Sequence, residues 1–324
     1  MNWLLNDPQY IGLRLAAFLV ILTLFAIPSL PLISAFSQSL AKSHKKSFYD
    51  KFGKQLTRMC LIFGGIALAT LGLGVARYLT IDTTMLQGPY QLPIIVTAGV
   101  TVLAAVFVTV YFKAWKAMRK QKSAHIALGF FSSFLLFAAI CCIAILANSL
   151  MSAHPLPSLG NATDVFGALF LTAYSPVFIT FLTIGFAMGF CLCGAFSQMY
   201  LLARREKDDF GRDYYKFAMP YAAKWAIFGA VLQIVATVTR LNIWILFQII
   251  KTGTPEALIQ NPLILTWASA LGLPILACIL WALTAASATP MRRKVSVYCA
   301  GTLILVADVC LITLAYLDFL ALFM

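Results

Sequence analysis

Of the 24 Lys and Arg residues in this 324-residue chain, 20 fall in just four connections between long apolar stretches, and those four are every second connection. They are Lys42, Lys45, Lys46, Lys51, Lys54 and Arg58; Lys113, Lys116, Arg119, Lys120 and Lys122; Arg204, Arg205, Lys207, Arg212, Lys216 and Lys224; and Arg292, Arg293 and Lys294. The alternate connections keep only Arg14, Arg77, Arg240 and Lys251. A water-soluble fold gives no reason for this sorting. A chain that crosses a bilayer repeatedly does, because the loops left on the cytoplasmic side retain Lys and Arg.

The apolar stretches have the length this requires. We read eight spans at about 11–36, 59–79, 92–114, 125–148, 170–203, 218–240, 262–286 and 296–323. Each holds about the 20 residues that a hydrocarbon core about 30 Å thick demands of a helix. A transmembrane strand would be about ten residues of alternating polarity, and nothing here alternates. The fold class is therefore all-α: a polytopic membrane protein of eight transmembrane helices. An even number of spans with basic loops after spans 1, 3, 5 and 7 puts both termini outside, periplasmic in a bacterial inner membrane.

The net charge of +13 suggests nucleic acid at first sight. The distribution of that charge fits anionic lipid headgroups instead, and no groove-reading motif accompanies it. The expected partners therefore include membrane lipids and exclude nucleic acid. All eight cysteines (Cys60, Cys141, Cys142, Cys191, Cys193, Cys278, Cys299 and Cys310) lie within spans, where they read as small apolar fillers. Cys191 and Cys193 point about 200° apart on a helix and share no ligand. Span 1 is too long for a signal-peptide core and is expected to be retained. Asn161-Ala162-Thr163 matches a glycosylation sequon, a three-residue pattern of little weight.

The two halves of the chain follow one plan, which divides it into four-helix units at 1–160 and 161–324. Phe48-Tyr49-Asp50-Lys51-Phe52-Gly53 after span 1 parallels Asp213-Tyr214-Tyr215-Lys216-Phe217-Ala218 after span 5, at an offset of 165 residues. Four spans per half give both halves the same orientation, related by an axis along the membrane normal. Pro28, Pro31, Pro176 and Pro274 are each placed to bend a helix.

Several stretches of residues 10–240 occur in an order and spacing that resembles subunit I of the cytochrome bd-type quinol oxidases. Ala147-Asn148-Ser149-Leu150-Met151 with Pro155 is similar to that family's exit from helix 4. Ser175-Pro176-Val177-Phe178 is similar to the approach to its fifth helix, and Met199-Tyr200-Leu201-Leu202 to the end of that helix. Ala230-Val231-Leu232-Gln233, and Tyr49 with Lys51-Phe52-Gly53-Lys54, fit as well. The resemblance implies a respiratory electron-transport complex, a quinone, and redox partners such as cytochromes.

The departures matter more than the matches. The family holds its haems through His on helices 1 and 5 and a later Met. Here the histidines are His44, His125 and His154, none of them mid-span. Counting back from Tyr200 puts Thr180 at the helix-5 ligand position. Counting back from Trp115 puts Val96 and Ala104 near the third-helix carboxylates. The long quinol loop is reduced to about 241–261. Threonine and valine are not haem axial ligands. The resemblance thus implies a divergent relative that binds no metal-held cofactor, is non-catalytic by itself, and serves an oxidoreductase complex.

Polar groups within the spans are few. Asp308 in span 8 is the clearest, since an acid at mid-depth costs about 2.5–3.5 kcal/mol to insert. It reads either as a proton-related or quinone-bonding group, or as a protonated acid tying helix 8 to a neighbour. Gln233 and Thr237 lie four apart on one face of span 6. They offer a quinone headgroup two polar contacts, although cross-helix hydrogen bonding is their commoner role. Arg14, Arg77, Arg240 and Asp318 are expected to snorkel to the outer interface. Trp3, Trp115, Trp225, Trp244, Trp267 and Trp281 lie mostly near span ends, as interfacial belts do. Gly185 and Gly189 read as a helix-packing face. No CxxC pair, HExxH, P-loop or Gly-x-Gly-x-x-Gly occurs. Alternatives to the redox-complex reading are a small-molecule transporter of two four-helix repeats and a purely structural assembly subunit.

Overall fold

The computed structural model describes residues 11–79, 91–151, 167, 176–208, 210–252 and 263–323. Among these there are eight long helices: α1 (Ile11–His44), α2 (Ser47–Leu79), α3 (Gln91–Lys113), α4 (Lys122–Met151), α5 (Pro176–Arg204), α6 (Arg212–Thr252), α7 (Leu263–Ala286) and α8 (Lys294–Phe323). All eight are long and apolar enough to cross a membrane, and the chain is a multi-pass membrane protein. The sequon at Asn161, His154 and Trp3 lie outside the described residues, as do the side chains of Arg14, Arg77 and Asp318.

The first and third basic segments are largely helix, where the sequence suggested loop. Helix α1 continues to His44, and only Lys45 and Lys46 separate it from α2. Lys45 makes the turn with φ +53°, a left-handed conformation that normally falls to glycine. At the corresponding turn before α6, Gly211 takes φ +84°, where a side chain would add strain. Charged residues can prolong a helix beyond the bilayer because the headgroups and water solvate them, so span length understates helix length.

Helix α1 packs on α2 and α4, and α3 on α4; α5 packs on α6 and α8, and α7 on both α6 and α8. The halves meet chiefly where α1 lies against α5. The two segments similar in sequence also meet. Phe48 packs edge-on to Tyr214 (6.0 Å between ring centroids), Tyr49 on Phe217 (4.6 Å) and Phe52 on Tyr221 (5.1 Å). The two segments thus face one another beside the basic turns.

Helix α1 carries Pro28 and Pro31 in its middle. Pro31 has no N–H, so the Ile27 carbonyl four residues earlier loses its helical partner. Cys60 of α2 replaces it, its Sγ donating to the Ile27 oxygen at 3.6 Å. Ser133 of α4 donates to the Pro28 oxygen at 2.7 Å. Cys60 is therefore more than the filler the sequence suggested. An unpaired carbonyl inside the membrane costs free energy that a thiol across the interface avoids.

The tightest packing surrounds α5. A Cβ on Gly185 would lie 2.2 Å from a Phe25 ring carbon, and one on Gly189 only 2.4 Å from the Phe25 backbone oxygen. On the other side, a Cβ on Gly194 would lie 2.3 Å from the Ala226 nitrogen, and one on Gly229 of α6 only 2.1 Å from the Cys191 nitrogen. Ala218, Ala222, Ala226 and Ala230 continue this seam along α6 at every fourth residue, each fully buried. Lipid tails are as apolar as leucine, so helices in a bilayer associate through such close contact rather than through hydrophobic burial.

Two outcomes follow for stability. Gly229→Val places a branched side chain against backbone that cannot move aside, and should destabilise the purified protein by at least the roughly 1–3 kcal/mol of ordinary overpacking. Cys60→Ser should preserve thermal stability in detergent, whereas Cys60→Ala should lower it, because an unpaired buried carbonyl costs about 1–3 kcal/mol.

Candidate functional site

Gln233 of α6 and Asp308 of α8, 75 residues apart in sequence, reach one another between helices that both pack on α5 and α7. Gln233 Nε2 donates to Asp308 Oδ1 at 2.7 Å, and both residues are fully buried. Thr237, on the same face of α6, turns its hydroxyl to the Gln233 carbonyl oxygen at 2.7 Å. The structure thus joins two of the three residues singled out for this region and ties the third to its own helix. One turn further along α6, Arg240 is only 7% exposed and lies over the Trp267 ring, 5.5 Å from its centroid. This corrects the expectation that Arg240 snorkels outward: an aromatic face within the bundle attracts the guanidinium.

The tryptophans change position in the same way. Trp267 and Trp281 are among the largest fully buried side chains, and Trp244 packs on Trp267 with ring centroids 5.8 Å apart. Their place near span ends is as read from sequence, but their rings face the core. Position along a helix is legible in a sequence; which way the ring points depends on neighbours.

A second polar cluster binds α1 to α4 together near the basic turns. Ser34 Oγ donates to the Gly53 oxygen (2.8 Å) and touches the hydroxyls of Thr57 (3.0 Å) and Tyr111 (2.9 Å). Tyr111 donates to Gln38 Oε1 (3.2 Å), which also meets His125 Nδ1 (3.0 Å). His125 Nε2–H donates to the Tyr111 carbonyl oxygen at 2.9 Å. Both imidazole nitrogens are therefore engaged, and the ring lies tilted against Tyr111 and edge-on to Trp115. Sequence reading placed His125 correctly at the start of helix 4 but gave it no partner. Its partners come from two other helices, α1 and α3, and from Trp115 just beyond α3.

Where the halves meet at the basic end, Arg204 binds both carboxylate oxygens of Asp208, at 3.1 and 3.0 Å, and Arg58 of α2 approaches to 3.7 Å. Tyr215 donates to the Asp208 carbonyl oxygen at 2.5 Å, and Tyr214 donates to Gln55. The bonded Arg204 guanidinium, with Arg58 beside it, holds the Asp208 carboxyl below the usual carboxylate range.

At the counted helix-5 position the residue does not fit a haem. Thr180 stands half-buried on α5, and a hydroxyl is no axial ligand for haem iron. Farther along α5, Gly189 and Gly194 meet the backbones of α1 and α6, and Gly185 meets the Phe25 ring, so no macrocycle fits between the helices at those three positions. Ala104 is buried beside an apolar crevice of about 210 Å³ among α1–α4, while Val96 is exposed. The crevice threonines, Thr101 and Thr109, donate to the backbone oxygens of Thr97 and Ala105. Its sulfur, Cys60, is engaged by Ile27. Among the described residues no group of three or more His, Cys, Asp or Glu side chains is placed to hold a metal ion.

No protein-family model matches the sequence, and no curated protein matches it. Among solved structures, a chain of the bd oxidase from Geobacillus thermodenitrificans is similar. The superposition has a TM-score of 0.64 at 14% identity and covers 92% of this chain and 84% of that one. The fold is bd-oxidase-like. At this identity the likeness is one of fold, and it extends to nearly the whole helical frame.

The Asp208 contacts give a pH-dependent expectation. The folded-state pKa lies below the unfolded value of about 3.9, so the contacts stabilise the turn at neutral pH and lose that contribution as pH falls through the folded value. Asp208→Asn should accelerate amide exchange over residues 204–208 at neutral pH and low salt. The difference from the native chain should shrink in high salt and vanish at acid pH.

Proposed function

We propose that this chain is a haem-free, non-catalytic membrane subunit of a bd-oxidase-type respiratory complex, serving as a frame against which a haem-bearing subunit assembles. The observation that carries this reading is the α1–α5–α6 seam. The bd-oxidase-like helical arrangement is present, yet glycine and alanine contacts close it along α5 beyond the threonine at the counted ligand position. The bd-oxidase-like fold supports membership of that frame. The loss of ligand side chains separates the chain from the subunit's catalysis.

The sorted basic residues support a bacterial inner-membrane location with both termini periplasmic. They also support lipid headgroups as partners of the basic turns. Cytochromes or a haem-bearing homologous subunit are the redox partners this reading implies. Between scaffolding and quinone binding, the geometry favours scaffolding. Gln233, Thr237 and Asp308 are fully buried; Gln233 bonds Asp308, and Thr237 bonds its own helix. A quinone headgroup would need donors presented to an opening. A transporter would likewise need convergent polar groups around a cavity, whereas here the mid-span polar groups are drawn together within a packed interface.

The full-length chain, purified alone in detergent, should show no Soret absorbance, and from native membranes it should co-purify with a haem-bearing membrane subunit. Stoichiometric haem in the isolated chain would overturn the proposal. So would recovery from native membranes without any haem-bearing partner.

A further inference from the structure

An amide facing a carboxyl group offers one donor and one acceptor. Between α6 and α8 the donor of Gln233 is used on Asp308 Oδ1 at 2.7 Å. The remaining atoms, Gln233 Oε1 and Asp308 Oδ2, are both buried and have no hydrogen-bond partner. They are the other halves of two groups that already touch. If Asp308 were ionised, both leftover atoms would be acceptors, and the pair would hold an unpaired charge and two unmet acceptors in a fully buried place. Turning the amide over changes nothing, because a carboxylate accepts at both oxygens while the amide has only one nitrogen. A hydrogen on Asp308 Oδ2 removes the conflict by supplying the missing donor.

The surroundings provide no other remedy. Asp308 lies 14 residues into α8, roughly 21 Å along the helix axis at 1.5 Å per residue. Among the described residues no cation lies within salt-bridge distance of it. The titratable groups in electrostatic reach are thiols: Cys191 of α5, beside Cys278 of α7, and Cys310 of α8 itself. Helix α6 contributes Gln233 and, two turns further along, the buried Arg240, which lies over Trp267 and makes no salt bridge with Asp308; the described part of α1 below its basic end contributes no titratable side chain within the bundle. The neighbours on α6 and α8 are small, Ala230 and Ala307 among them, and fully buried.

We propose that Asp308 and Gln233 form a proton-binding site at mid-depth in the second half of the bundle, with Asp308 held as the neutral acid and its Oδ2 hydroxyl supplying the donor that Gln233 Oε1 lacks. The amide donates to Oδ1 and accepts from Oδ2–H, so the pair closes on itself without an ion. A bilayer interior favours this state, because a neutral hydrogen-bonded acid avoids the desolvation cost of a carboxylate. The bound proton and the α6–α8 contact are then linked. Loss of the proton breaks one side of the pair, and separating the helices exposes an acid free to ionise. This site goes beyond the proposed scaffold role and does not depend on which complex the chain joins.

Infrared spectra of the full-length chain in detergent at neutral pH test this directly. The native protein should show the carbonyl stretch of a protonated carboxylic acid, and Asp308→Asn should remove it. Gln233→Leu should shift the band to higher frequency as the carbonyl loses its donor. Asparagine offers the same donor and acceptor, so Asp308→Asn should keep the native Tm while Asp308→Leu lowers it. Four results would overturn the proposal: no protonated-acid band in the native chain, a band that persists in Asp308→Asn, a band unmoved in Gln233→Leu, or an Asn variant that is as unstable as the Leu variant or fails to fold. The native spectrum and the Gln233→Leu shift decide the question even where one substitution reduces yield.

Discussion

Backbone contact at α5 is the constraint on which the rest of the structure depends. Gly185 and Gly189 admit α1 on one side, while Gly194, with Gly229 and the alanines of α6, admits α6 on the other. In water, burial of large side chains could hold these helices together at a greater separation. In lipid, that driving force is absent between apolar surfaces, and short-range packing must supply it. The two halves of the chain are joined largely through α1 and α5, so α5 sets their relation as well as the interior of the second half. A bulkier α5 would widen the seam, and with it the distance over which Gln233 of α6 and Asp308 of α8, both packed on α5, reach one another.

Within this seam the polar chemistry is arranged to leave little charge in the bilayer. The Ile27 carbonyl released by Pro31 of α1 finds Cys60, and a serine of α4 bonds the Pro28 oxygen. His125 is fixed by Gln38 and by a backbone oxygen. Gln233 takes one side of Asp308. Ion pairs, by contrast, gather at the basic turns, where Arg58, Arg204 and Asp208 join the halves and Lys122 approaches Asp50 to 3.5 Å. A protein built this way is suited to holding shape in the membrane. The bd-oxidase-like fold is consistent with that role.

Much of this was legible in the sequence, and the reasons are specific. Charge sorting and span length gave eight helices because the bilayer imposes both. Asp308 and Gln233 stood out because polar residues are costly there, although nothing in their spacing showed that they meet. The helical extensions of α1 and α6 were missed because an apolar run ends where the bilayer does, not where the helix does. The alanine at every fourth position of α6 was a usable signal that went unread, since alanine contributes little to a hydropathy profile. Cys60 could be assigned only once a proline on another helix was known to lie opposite it. Arg240, Trp267 and Trp281 were placed correctly along their helices but oriented wrongly, because orientation is set by partners distant in sequence.

A density map of the purified full-length chain, at a resolution that shows side chains, tests the central claim most directly. The account predicts van der Waals contact between Gly194 and Ala226 and between Gly189 and the Phe25 backbone, with continuous protein density across the seam. Planar density of a macrocycle between α5 and either neighbour, with the helices held apart around it, would contradict it.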